Sequence, residues 1–134
     1  KFTSVRVAKS LAKFGITPKK SLTYDPYWYC KNNADFWRGM IDGDGGIYVK
    51  KGVFSIMLCG SKEAVHGFAE WTRPICGTTA KPRKVLNIYN FSLSANMAKK
   101  VCAVLYANDP KYYLERKAKT MQSVLNNKLP AYAL

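Results

Sequence analysis

The residues best equipped for chemistry are Asp42 and Asp44, which stand two apart in the stretch Phe36-Trp37-Arg38-Gly39-Met40-Ile41-Asp42-Gly43-Asp44-Gly45-Gly46. Carboxylates are hard oxygen donors, so the first question is whether the pair opens a calcium loop. A twelve-residue EF-hand loop beginning at Asp42 needs an acid at its last position, where this chain has Val53, and that reading fails. The reading without chemistry is an Asp-Gly-Asp-Gly turn joining a helix to a strand. Competing chemistries are poorly supplied. His66 is the only histidine, so a histidine-based metal site or general base would rest on one residue, which disfavours zincin and HNH-type centres. Cys30, Cys59, Cys76 and Cys102 lack the short spacings of a zinc site and read as reduced, mostly core thiols of an intracellular protein.

The acids must be positioned by a helix. Asn33 is a good N-cap, and Phe36, Met40 and Ile41 recur on a helical period before the glycines end it, which puts Asp44 at the helix's lower end. Gly39 and Gly43 lie one turn apart on one face, where the lack of side chains lets another backbone approach. A short helix carrying that glycine penalty makes sense packed against a similar helix, which would bring two copies of Asp44 together. Downstream, residues 47–51 and 53–59 flank Gly52 as a hairpin, and Ser61 caps a helix to about residue 75. Residues 81–93 supply one or two strands, Ser94 or Asn96 caps a helix to about 106, and Pro110 opens a last helix to about 126. Upstream, residues 2–7 alternate like a strand, 8–14 form a helix ended by Gly15, and 17–21 make a basic turn. Residues 22–33, with an aromatic cluster around Asp25-Pro26, read as a linker.

A chain of 134 residues with 48% hydrophobic residues fits one domain with a real core, and 22 Lys and Arg against 8 Asp and Glu give a net charge of +14. The usual partners of such an imbalance are polyanions, with nucleic acid foremost. No apolar run approaches membrane-spanning length, so no membrane partner is expected. In half-buried strands side chains alternate: with Ile47 and Val49 inward, Tyr48 and Lys50 face out. With Phe54, Ile56 and Leu58 inward, Ser55 and Met57 share the outer face with Lys81, Arg83 and Tyr89. A basic, aromatic sheet face of this kind can follow a major groove. Lys62 and His66 on the following helix are weaker candidates for the same contact, their bland reading being a solvated helix face.

Residues 37–45, Trp-Arg-Gly-Met-Ile-Asp-Gly-Asp-Gly, resemble the LAGLIDADG motif of homing endonucleases and their maturase and transcription-factor relatives. Gly, aliphatic pair, Asp, small residue, Asp and Gly are kept in place, with Trp37-Arg38 at the family's loose first positions. Gly46-Ile47-Tyr48 imitates half of a different nuclease signature, but its second half does not follow. The resemblance implies an α+β fold, an α-β-β-α-β-β-α-α repeat over residues 34–134 with a twisted antiparallel DNA-binding sheet. It implies hydrolysis of phosphodiester bonds in both strands of double-stranded DNA, with Mg²⁺ or Mn²⁺ held by Asp44 and the backbone carbonyl of Gly43. Asp42, with Gly39 and Gly43, would fix the paired helix. Leu114-Glu115-Arg116-Lys117 looks like the family's Leu-x-Arg-Lys element, which would set Lys117 near the scissile phosphate. The alternative within the same resemblance is a non-cutting nucleic-acid binder, either maturase-like or a transcription regulator.

Ser4, Ala8-Lys9, Leu11 and Phe14 line up with Ser94, Ala98-Lys99, Val101 and Val104 at a constant offset, and Pro18-Lys19-Lys20 falls near Pro110-Lys111. Internal similarity of this kind marks a repeated unit. Residues 1–21 therefore read as the tail of a preceding repeat, with Lys20 playing the part of Lys117 and Lys19 beside it as a DNA contact. A chain opening on Lys1 with no signal peptide is expected to be a fragment or processed piece. The second motif helix would then come from an upstream repeat or from a homodimer partner, and the protein would work in cytoplasm, nucleoid or an organelle.

Overall fold

A computed structural model describes Arg6, Lys9, Lys13 and residues 30–108 and 110–125. The basic turn with Lys19 and Lys20 and most of the 22–33 linker lie outside the described residues. Arg6, expected in a strand, is helical, as is Lys9. The main elements run α1 (Ala34–Asp44), β1 (Gly45–Lys50), β2 (Val53–Gly60), α2 (Lys62–Cys76), β3 (Arg83–Val85), β4 (Ile88–Ser94), α3 (Ala95–Leu105) and α4 (Glu115–Leu125). Over residues 34–125 this is an α+β arrangement, four helices with one antiparallel sheet in the order β1-β2-β4-β3. No helix among the described residues is long and apolar enough to cross a membrane.

Local chemistry explains most boundaries. The Asn33 side chain accepts from the Asp35 and Phe36 amides at 2.8 and 3.4 Å and starts α1, and Ser61 Oγ accepts from the Ala64 amide at 3.2 Å and starts α2. Between β1 and β2, Lys51 and Gly52 take φ of 51° and 76°, the two left-handed residues of a primed turn whose twist matches the flanking strands. Ser94 occupies the N-cap of α3 without a side-chain cap bond, because its hydroxyl meets Ser55 Oγ at 3.1 Å across the sheet. The last helix begins at Glu115 rather than at Pro110. Residues 110–114 are held out of the helix by α1, where Arg38 Nε donates to the Tyr112 carbonyl and Asp42 accepts the Leu114 amide.

One face of the sheet meets the helices. Ile47 and Val49, Phe54, Ile56 and Leu58, and Phe91 and Leu93 form a buried cluster with Trp37 and Ile41 of α1, Phe68 of α2, and Val101, Cys102 and Leu105 of α3. Trp37 anchors it, its ring centroid 5.4 Å from Phe68 and its indole N–H donating to the Lys31 carbonyl at 2.8 Å. Burial of this apolar surface is the main stabilising term. All four cysteines are free; Cys76 and Cys102 are buried, whereas Cys30 and Cys59, expected mostly in the core, are half-buried.

α1 passes into β1 without a loop, and the junction leaves no room for a side chain: a Cβ on Gly45 would stand 2.5 Å from the Met57 carbonyl oxygen and 2.9 Å from Ile41 Cα. Gly45→Ala should therefore cost about 1–3 kcal/mol, whereas Gly39→Ala, where a Cβ meets nothing within 4 Å, should be neutral or stabilising by about 0.5–1 kcal/mol. Equal urea midpoints for the two variants would contradict the junction geometry.

Burial also pushes the Cys102 thiol up from 9.0 to about 12. The unfolded chain ionises this thiol first, so its contribution to stability is complete below about pH 9 and is lost as pH rises toward 12. Cys102→Ala should flatten the alkaline fall in stability by up to about 1.4 kcal/mol per pH unit, read from urea denaturation between pH 8 and 10.5. An unchanged slope would exclude Cys102 as its source.

Candidate nucleic-acid interface and acidic helix end

The C-terminal end of α1 collects the chain's chemistry. Lys117, on α4, is only 5% exposed, and its ammonium donates to the carbonyls of Ile41 at 2.6 Å, Asp42 at 3.0 Å and Gly45 at 2.7 Å. An ammonium has three N–H donors, so all are committed. This corrects the expectation that Lys117 faces a phosphate: it closes the junction of α1 and β1, adding a donor to the Ile41 carbonyl, which also accepts the Gly45 amide, and supplying one to Asp42 and Gly45. Burial, and then the Arg116 charge, lower its pKa against the pull of Asp42 and Asp44.

Asp42 is likewise turned into its own chain. Its carboxylate accepts the Leu114 amide at 2.8 Å and the Tyr106 hydroxyl at 3.3 Å, which binds α1 to the segment between α3 and α4. Burial, followed by the Asp42 charge, pushes the Tyr106 phenol up and keeps it a donor. Arg38 completes the fastening. It is buried, donating to the Leu105 carbonyl at 2.8 Å, the Tyr112 carbonyl at 3.0 Å and Asp35 Oδ1 at 2.7 Å. Sequence reasoning passed over this residue as filling a loose position. The signal in the sequence is an arginine three residues after Asp35 and four before Asp42, a charged row beside the apolar residues of the helix.

Asp44 is different: it is exposed, and no described residue gives its carboxylate a hydrogen bond or ion pair. It stands at the negative end of the helix dipole, where an anion is disfavoured and a cation favoured. Its field reaches Cys59, whose thiol is raised by burial and then by the Asp44 charge. Among the described residues no three His, Cys, Asp or Glu side chains gather into a metal cluster. The donors present are one exposed carboxylate and the helix-end carbonyls, of which Lys117 takes Ile41, Asp42 and Gly45 but not Gly43. Such a set fits Mg²⁺ or Mn²⁺, hard cations able to take their remaining ligands from water and phosphate oxygens.

The strand register fixes the outer face of the sheet. Tyr48 pairs with Ser55 and Ser55 with Ser94; Met57 pairs with Ser92, Cys59 with Asn90, and Asn90 with Arg83. Tyr48, Lys50, Met57 and Arg83 thus share the face as expected, joined by Asn90, Ser92 and Ser94. Ser55 lies on this face but is buried, its hydroxyl held by Ser94. Tyr89 is a correction. It alternates with Phe91 and Leu93 toward the helices and packs its ring 5.6 Å from His66. The two-residue turn between β3 and β4 inverts the odd–even parity, so Arg83 and Tyr89 fall on opposite faces. Lys81 is exposed just before β3, and Lys62 is exposed at the start of α2 in the helical layer. His66, whose Nδ1 lies 2.8 Å from the Lys62 carbonyl, is explained by local packing.

Gly39 and Gly43 form a bare, exposed face on α1, with nothing within 4 Å of where a Cβ would stand. Beside them opens a cleft of about 940 Å³, lined by Asp35, Arg38, Gly39, Asp42, Val104 and Tyr112 among others. Comparisons with protein-family models, characterised proteins and solved structures find no match.

The helix-end contacts make Lys117 a stability determinant. Lys117→Met should cost about 2–3 kcal/mol, since it removes three charge-assisted hydrogen bonds at the α1–β1 junction. Lys119→Met, which removes an exposed i,i+4 pair with Glu115, should cost under about 0.5 kcal/mol. Urea denaturation giving the two variants equal losses would show that the Lys117 contacts carry no weight.

Proposed function

We propose that this chain is a LAGLIDADG-type repeat of a site-specific double-strand DNA endonuclease, completed when a second motif helix packs on the Gly39–Gly43 face. The observation that carries the reading is the division of labour within residues 37–45. Trp37, Arg38, Ile41 and Asp42 are used up in holding the fold, whereas Asp44 is presented to solvent at the helix end with no partner among the described residues. An α-β-β-α-β-β-α-α order supports it. A divalent metal held by Asp44 and the Gly43 carbonyl would supply charge neutralisation at phosphate and an acidified water. Lys117 acts as a positioning residue, fixing the helix end from which Asp44 projects. Tyr48, Lys50, Arg83, Asn90 and Ser92 offer hydrogen-bonding and cationic groups to groove edges and phosphates, and Lys81 and Lys62 add charge at the margins.

One observation favours the non-cutting binder as the second reading. With Lys117 committed to carbonyls, the helix end presents, among the described residues, a single carboxylate without a hydrogen bond or ion pair. The enzyme reading answers it with the partner helix, whose own Asp44 equivalent would double the carboxylates.

The test uses the full chain with a pool of random-sequence duplexes. Binding should weaken steeply with salt, and Lys50→Ala and Arg83→Ala should each weaken it further while lowering the slope by about one. Asp44→Asn should abolish Mg²⁺-dependent cleavage while leaving binding equal or tighter, because an anion beside a polyanion is removed. Binding without cleavage of any duplex, unaltered in Asp44→Asn, would replace the nuclease with the non-cutting binder. Salt-insensitive binding would remove the nucleic-acid reading.

A further inference from the structure

The hairpin between β3 and β4 ends in side chains that the fold does not use. Val85 is 52% exposed, Leu86 89% and Ile88 39%. Val85 and Ile88 form the last cross-strand pair, and Leu86 stands beyond them in the turn with φ of 57°. Left-handed backbone is unfavourable for a branched side chain, and here no burial offsets it. A large apolar group held out in strained backbone carries two unfavourable terms in the isolated chain, and a partner covering Leu86 would relieve the larger of them.

The surroundings identify that partner. Lys81, Arg83 and Lys84 flank the tip, all exposed, and no acidic residue occurs anywhere between Glu70 and Asp109. The tip also continues the outer sheet face: Val85 and Ile88 follow the Arg83–Asn90 pair, which follows Cys59, Met57 and Ser92. An anionic lipid surface would suit the lysines and the leucine but not the row of Asn90, Ser92 and Ser94 behind them. Duplex nucleic acid suits all three, with phosphates for the cations, base edges for the polar row and an apolar base stack for the tip.

We infer that the β3–β4 hairpin is a wedge that inserts Leu86 into the base stack of bound duplex, unstacking a step and unwinding the helix. This rests on the nucleic-acid reading above and concerns its mode of contact. A wedge also explains why cations sit on both faces of the hairpin, Arg83 with Val85 and Lys84 with Tyr89, since an inserted tip has phosphates on either side.

The test reads DNA topology, which needs no known target site. The full chain is bound to relaxed closed-circular plasmid with divalent metal chelated, treated with a metal-independent topoisomerase I, stripped of protein and resolved by linking number. The wild-type chain should lower the linking number in proportion to the amount bound. Leu86→Asn, whose side chain tolerates left-handed backbone, should keep or raise the thermal midpoint, bind the plasmid within about two-fold in a filter assay, and leave the linking number unchanged. An equal shift from the variant, or no shift from bound wild-type chain, overturns the wedge while leaving binding intact. No plasmid binding at all overturns the nucleic-acid reading with it. Leu86-dependent binding to phosphatidylserine vesicles, without a topological shift, assigns the tip to lipid instead.

Discussion

The end of α1 is the constraint on which the rest of the fold turns. A helix that runs directly into a strand exposes its last carbonyls at a crowded junction, because there is no loop in which water or a turn could satisfy them. Here the junction residue, Gly45, is extended, and β2 passes so close that only hydrogen fits in place of a side chain. The Gly45 amide answers the Ile41 carbonyl, and Lys117 on the last described helix adds its ammonium there and supplies the Asp42 and Gly45 carbonyls. That one ammonium makes α4 part of the motif helix's own termination. Asp42 and Arg38 reinforce the arrangement by gripping the backbone of the α3–α4 connection at Leu114, Leu105 and Tyr112. α4 places Ala118 and Met121 in the interior, so its attachment is polar as much as apolar.

Much of this was legible in the sequence, and the illegible part has a common cause. Caps and periodicity are local: Asn33, Ser61, the hairpin about Gly52 and the inward runs Ile47/Val49 and Phe54/Ile56/Leu58 could be read from neighbours alone, and the element order after residue 33 followed from them. What could not be read depends on long-range partners. The Leu114-Glu115-Arg116-Lys117 run singles out Lys117 by resemblance, but nothing near it shows that it, unlike its exposed neighbour Lys119, is buried until Ile41 and Gly45 are brought beside it. Arg38 is an unexplained cation until the backbone at Tyr112 arrives. The start of α4 was misplaced for the same reason, since the residues after Pro110 are withheld from the helix by contacts with α1. Tyr89 failed through a different mechanism. Strand parity survives only if every turn is counted, and the turn carrying Leu86 has none of the usual left-handed residues at its first central position.

The charges complete the argument for separable roles. α1 holds Asp35, Asp42 and Asp44, three of the eight acids in a chain of net charge +14, and two of these are bound within the fold. Lys50, Lys51, Lys81, Arg83 and Lys84 lie exposed on the sheet and its hairpins, and on the proposed reading they would draw a polyanion to that surface by many weak, screened contacts. Asp44, exposed and without a hydrogen bond or ion pair among the described residues, is where such a polyanion would meet an anion at the helix end. A residue kept only for affinity would not be placed there, because at that point it opposes binding unless a cation intervenes. On that reading, local repulsion at Asp44 is tied to a cation requirement and attraction falls to the sheet, so that holding a duplex and acting on it would depend on different residues.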